Sequence, residues 1–148
     1  MGNSDNPKKG AFFQKKVCEW FQKEYNKPFV LEKKIPIGNP AKDHKFDIVD
    51  VAGTLAVECK SYTWTETGNV PSAKMGFTNE AAFYLGFLPN SFTKYIVMVR
   101  STHPKRRESL AEYYYRTYRH LLKGITVAEF DLEMETLQVI GQSNIDDD

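Results

Sequence analysis

The 148-residue chain has only two cysteines, Cys18 and Cys59, and they form no C-x-x-C pair. That rules out a disulfide framework, and both side chains read as reduced core residues of a cytoplasmic protein. His103 and His120 have no partner at zinc-ligand spacing. No apolar run approaches the roughly 20 residues of a membrane span, and the start does not read as a secretory leader, so no membrane partner is expected. The phosphate loop G-x-x-x-x-G-K-[ST] is missing, and with it the expectation of a nucleotide cofactor or ATP-driven work. There is no serine nucleophile elbow and no internal repeat. Excess charge of either sign is also lacking. Lys and Arg number 20 against 19 Asp and Glu, a net charge of +1. The overall field therefore does not recruit nucleic acid, and such a partner must be met by local clusters.

What is present is concentrated in residues 45–60, KFDIVDVAGTLAVECK. Apolar and β-branched residues flank Ala52-Gly53, which predicts a β-hairpin. With Ala52 and Gly53 as a two-residue loop, Val51 pairs with Thr54 and Asp47 falls opposite Glu58. Lys60, two residues on, points to the same face as Glu58, while Leu55, Val57 and Cys59 form an apolar back face. Like charges opposite one another on a sheet are destabilising. A hard divalent cation relieves them, because Mg²⁺ takes oxygen ligands from one or two carboxylates plus water and phosphate. The alternative is an amphipathic edge hairpin with a solvated Glu-Lys pair.

Asp47 followed by Glu58-Cys59-Lys60 resembles the signature of the PD-(D/E)xK, or restriction-endonuclease-like, nucleases, with Phe46 where many members have proline. The resemblance implies that Asp47 and Glu58 bind Mg²⁺ or Mn²⁺, that the backbone carbonyl of Cys59 completes the metal shell, and that Lys60 assists the attacking water. Lys9-Gly10-Ala11 is similar to the opening of the archaeal Holliday-junction resolvases, where a glutamate four residues after the glycine adds a carboxylate. Here that position is Gln14. Its amide offers a carbonyl oxygen without charge, or it is an exposed helix residue.

The predicted elements follow that family's order, an α/β core αβββαβ with a further helix and strand, as a mixed central sheet flanked by helices. A helix is expected over 10–25, with Phe13, Val17, Trp20 and Phe21 at helical spacing, and a strand over 29–37. After the hairpin come a helix over 74–88, a buried strand over 95–99, a helix over 108–122 and strands over 125–130 and 136–140. One nuclease-like domain is expected over 10–140, between a flexible arm (1–9) and an acidic disordered tail (141–148).

Basic residues gather at Lys8, Lys9, Lys15 and Lys16 and again at Lys105-Arg106-Arg107. Phosphate contacts from such groups give affinity without sequence reading, although most charge runs are solvated faces. Residues 61–74 leave the catalytic strand directly and read as a mobile flap, in which Trp64 either stacks on a base or is partly buried under its own loop. The expected function is a Mg²⁺-dependent DNA endonuclease hydrolysing phosphodiester bonds, acting as a homodimer so that two sites meet two strands. The alternative is a catalytically inactive module of the same fold that binds nucleic acid or protein.

Overall fold

Phe13, Val17 and Phe21 recur every four residues, and the segment that carries them folds as helix α1, Pro7–Tyr25, with all three buried. Proline suits the first helical position, where its missing N–H would lack a partner anyway. This corrects the expected arm at its inner end, since Pro7, Lys8 and Lys9 are already helical. The remainder of that arm, and residues 144–148 of the acidic tail, lie outside residues 7–143, which this computed structural model describes.

Six strands form one mixed sheet in chain order: β1 (Phe29–Ile37), β2 (Lys42–Asp50), β3 (Leu55–Lys60), β4 (Thr93–Val99), β5 (Ile125–Asp131) and β6 (Thr136–Gln142). β3, β4 and β5 run parallel, and the remaining neighbours are antiparallel. Helix α2 (Ser72–Leu85) connects β3 to β4, and helix α3 (Leu110–Tyr118) connects β4 to β5. Over the described residues the chain is thus an α/β protein, with three α-helices and a six-stranded mixed sheet. β4 and β5 are apolar on both faces because both faces are covered. On one face Phe13, Val17 and Phe21 of α1 pack with Ile48, Val57, Val97 and Phe130. On the other, Met75, Leu85, Leu110 and Tyr114 from α2 and α3 pack with Val49, Ala56, Ile96 and Val127.

Helix α2 runs Ser72–Leu85 rather than 74–88, and β4 starts at Thr93 rather than 95. Three further boundaries differ from expectation, each for a local reason. Helix α3 starts at a capping box, Ser109 with Glu112, and after Tyr118 tightens into a 3₁₀ turn, Arg119–Leu121. The change of pitch leaves Leu121 exposed while Leu122 is buried. β6 continues past residue 140, because the Gly124 amide donates to the Ser143 carbonyl (2.8 Å) and holds the end against β5. The hairpin keeps the expected register, Ile48 with Val57 and Val49 with Ala56, but its strands end at Asp50 and Leu55, so the loop has four residues rather than two. The cause is the buried Asp50 carboxylate. It accepts the Thr54 and Leu55 amides (both 2.7 Å), the Thr54 hydroxyl and the Lys27 ammonium (2.9 Å), taking over from backbone pairing.

Glu32 has φ +53°, and the β1–β2 ladder omits the position where it would face Asp47. A residue in the left-handed region rotates the chain out of its two-residue alternation. Phe29 therefore packs toward α1, while Ile35, Ile37 and Phe46 pack toward α2 and α3. The outer half of the β1–β2 pair thereby curls over α2, where His44 stacks on Tyr84 with ring centroids 3.8 Å apart.

Candidate active site

Asp47 sits at that inversion, one residue beyond the last regular pair between β2 and β3. There, side chains replace the ladder. The Asp47 amide donates to Glu58 Oε2 (2.9 Å), and the Cys59 amide donates to Asp47 Oδ2 (2.8 Å). Each carboxylate grips the other's strand, which brings the two acids together at the point where the strands part. Glu58 is only 6% exposed. Burial, followed by the charge of Asp47, pushes its carboxyl far above the ordinary range. Burial also raises Asp47, against the opposing effects of the Cys59 amide and the Lys60 ammonium. Lys60, half-buried on the same strand, favours the ionised form of both acids, and its Nζ lies 5.9 Å from the centre of the Tyr62 ring.

A buried and a half-buried carboxylate, both held above their ordinary range, with one amine beside them, form a site short of positive charge. Asp47 Oδ1 and Glu58 Oε1 are the oxygens not committed to the strand amides. This donor set suits a hard divalent cation that fills its remaining positions with water and phosphate. Among the described residues, no group of three His, Cys, Asp or Glu side chains is arranged to hold a metal ion, so an ion here would have only the acidic pair and backbone oxygen to draw on. The Cys59 side chain packs on the α1 side, as expected of the back face, and burial drives its thiol well above the ordinary range. Gln14 bonds to a neighbour of the pair: its Nε2 donates to Glu32 Oε2 at 3.5 Å, and the Glu32 charge acts on Asp47 in turn.

Several further side chains border the pair. His44 feels the charges of Asp47 and Glu80, although burial is the larger effect and lowers its pKa. Tyr62 is raised, first by burial and then by the charges of Asp47 and Glu80. The Lys74 ammonium lies 5.4 Å from the centre of the Tyr62 ring. Glu80 comes from α2 and Glu32 from β1, and neither carries a motif; only the fold brings them here.

The segment after β3 is not a loose flap. The Trp64 amide donates to Ser101 Oγ (3.1 Å), the Arg106 Nε donates to the Gly68 carbonyl (2.7 Å), and His103 Nε2 lies 2.7 Å from the Glu66 carbonyl. Trp64 is 5% exposed, with the Arg106 guanidinium 4.4 Å from its ring centre and Tyr113 packed edge-on. The expectation that Trp64 stacks on a base is thus corrected: its faces are taken by protein. Arg106 is committed to the same clamp, whereas Lys105 and Arg107 are exposed. On α1, Lys15 is exposed and Lys9 half-buried, while Lys16 is drawn to Glu135 (3.4 Å). Phe13 packs on Phe130, near the end of β5, and Phe21 packs on Tyr95, near the start of β4. Helix α1 therefore runs against the parallel strands. Its basic first turns, the acidic pair and residues 100–107 all lie at the margin where β3, β4 and β5 end. Ligand sites of open α/β sheets gather at that carboxyl margin.

No helix is long and apolar enough to cross a membrane among the described residues. Comparison of the chain with protein-family models, with curated proteins and with solved structures gives no match.

Proposed function

We propose that the chain is a divalent-metal-dependent nuclease with a restriction-endonuclease-like fold, hydrolysing DNA phosphodiester bonds at Asp47, Glu58 and Lys60. The observation that carries this reading is the reciprocal pair of bonds, Asp47 amide to Glu58 and Cys59 amide to Asp47. They hold two carboxylates against each other beside an amine at a strand end, where a bound cation would take over from the proton that otherwise relieves their repulsion. The element order αβββαβαββ, which includes the αβββαβ core, also supports it. Asp47 Oδ1, Glu58 Oε1 and the Cys59 carbonyl are the oxygens that would hold the ion. When bound, Mg²⁺ or Mn²⁺ supplies Lewis-acid polarisation of the phosphate and a water of lowered pKa. Lys60 contributes fixed positive charge where phosphate charge builds up. Lys9, Lys15, Lys105 and Arg107 would hold the flanking backbone, an attraction that weakens steeply with salt.

A second copy completes the reading. Phe77, Phe83 and Phe87 on and just beyond α2 are exposed, as is nearby Leu121. Phe83 and Phe87 form a ridge between two grooves of about 310 and 300 Å³. A ridge flanked by grooves can seat its own two-fold mate, and such a dimer would present two sites to a duplex.

The alternative is an inactive nuclease-fold module that binds nucleic acid or protein. The neutral amide of Gln14, where the resolvases carry a glutamate, favours it. Incubation with plasmid, linear, single-stranded and four-way-junction DNA plus Mg²⁺ or Mn²⁺ tests the first reading. Cutting by the wild type and none by Lys60→Ala is expected; equal cutting by both would refute it. Calorimetric titration with Mn²⁺ separates the two readings, since the inactive module gives no binding that depends on Asp47.

A further inference from the structure

The row of carboxylates does not stop at the acidic pair. Leu31 pairs with Ile48 and Lys33 with Phe46, so Glu32 stands opposite Asp47. Ile48 pairs with Val57, which sets Asp47 opposite Glu58. Glu32, Asp47 and Glu58 therefore lie in one row across β1, β2 and β3, the outer two backbones roughly 10 Å apart at the usual strand spacing. The Glu32 carboxylate is held from two elements. Lys45 Nζ lies 3.6 Å from its Oε1, and Gln14 Nε2 donates to its Oε2 at 3.5 Å. Both contacts are long for hydrogen bonds, and the side chain is 56% exposed, so room remains for a further donor.

Without a ligand this placement is unfavourable. A carboxylate opposite Asp47 adds to the repulsion within the pair, and the Glu32 charge does push the Asp47 carboxyl up. The Glu32 backbone, at φ +53°, is in a region that a glutamate enters reluctantly. Inverting the faces of β1 requires a left-handed residue, but glycine or asparagine supplies that with less strain. Core packing does not offset the strain either, because the side chain is exposed. What the glutamate adds is a third acceptor, one strand from the pair. A hard cation held by two carboxylates and a backbone oxygen completes its shell with water, and groups that hydrogen-bond such a shell tune the affinity.

We propose that Glu32 is a positioning residue of the acidic site, accepting a hydrogen bond from a water carried by the cation that Asp47 and Glu58 hold. Gln14 and Lys45 steady the carboxylate in that place. Acting through water agrees with the finding that, among the described residues, no three acidic, histidine or cysteine side chains are placed to hold an ion directly. The assignment rests on the metal-binding reading of the pair, to which it adds a third acid from the edge strand.

Mn²⁺ binding measured by calorimetry tests it without depending on cleavage. Glu32→Gln keeps the size of the side chain and should bind Mn²⁺ about tenfold more weakly than the wild type, in the range of a lost outer-shell partner. Loss of long-range attraction alone would also weaken binding, so the titration is repeated in about 1 M KCl, where exposed charges more than roughly 3 Å apart are screened. The deficit should persist there. Glu32→Gly suits the left-handed backbone and removes the repulsion; it should melt no lower than the wild type in chelator, yet bind Mn²⁺ as weakly as Glu32→Gln. Wild-type affinity in either variant, a deficit that vanishes in high salt, or a lower melt of Glu32→Gly overturns the assignment. The underlying readings fail in other ways. A wild type with no Asp47-dependent Mn²⁺ binding removes the metal site and the role of Glu32 with it. Mn²⁺ binding that needs Glu32, in a protein that cuts no DNA, upholds Glu32 and refutes the nuclease.

Discussion

Replacing Glu58 by glutamine removes one charge from the acidic pair yet leaves an oxygen to accept the Asp47 amide, so it isolates the electrostatic cost of the site. Burial and the neighbouring Asp47 move the Glu58 carboxyl from 4.5 up to about 8. A raised carboxyl binds its proton more tightly in the folded chain than in the unfolded one. The native state is therefore favoured below the unfolded value of 4.5, loses that advantage as pH rises toward 8, and is level above it. At about 1.4 kcal/mol per unit the loss is roughly 5 kcal/mol, a large share of the stability of a domain this size. In melting temperature that is roughly 10–20 °C. Thermal melts in chelator from pH 5 to 8.5 should show this decline in the wild type and a much flatter profile in Glu58→Gln. Adding Mn²⁺ at pH 8 should raise the wild-type melt and leave the variant unchanged. Parallel metal-free profiles for the two proteins would refute the claim that this acid is held against its charge.

Asp50→Ala strands the Thr54 and Leu55 amides and should cost roughly 3 kcal/mol in denaturant titrations. Because Asp50 is held down at about 2 by its Thr54 and Lys27 partners against burial, its contribution is present above the ordinary value of 3.8 and fades as pH falls toward 2, a window separate from that of Glu58. Gly68 has φ +83°, and a Cβ there would meet His103 Nδ1 at 2.8 Å. Gly68→Ala should therefore prise residues 61–71 from residues 101–109, seen as faster amide exchange in both segments. Gly141→Ala drives a methyl into the Tyr115 ring, 2.3 Å away, and should lower stability by roughly 1–3 kcal/mol in the same titrations. Phe83→Asp with Phe87→Asp should leave a monomer by light scattering, and an unchanged mass relative to the wild type would remove α2 from the dimer contact.

The parts of the fold legible in the sequence are those with a clean period. β1 runs over the expected 29–37, and the apolar runs at 95–99 and 125–130 mark the centres of β4 and β5. The register that faces Asp47 with Glu58 follows from strand alternation across the turn, and Ile48 and Val57 do pair. The rest depends on side chains standing in for backbone, which leaves no period to read. Asp50 widens the hairpin loop, and the change to a 3₁₀ turn after Tyr118 reverses Leu121. Nothing in the segment 31–33, LEK, announces that Glu32 adopts φ +53° and inverts the faces of β1. The choice between a stacking and a buried Trp64 stays open in the sequence because Arg106 and Tyr113, which enclose it, lie more than 40 residues away in the chain.

The direction of α1 against the parallel strands has a practical corollary. Helix α1 starts toward the margin where the parallel strands end, whereas Ser143 lies at the start of β5, a strand length of roughly 20 Å from that margin. A bulky fusion joined ahead of the first helix would crowd the opening proposed to admit a polynucleotide. The same cargo attached behind the last strand would trail from the far side and leave that doorway clear.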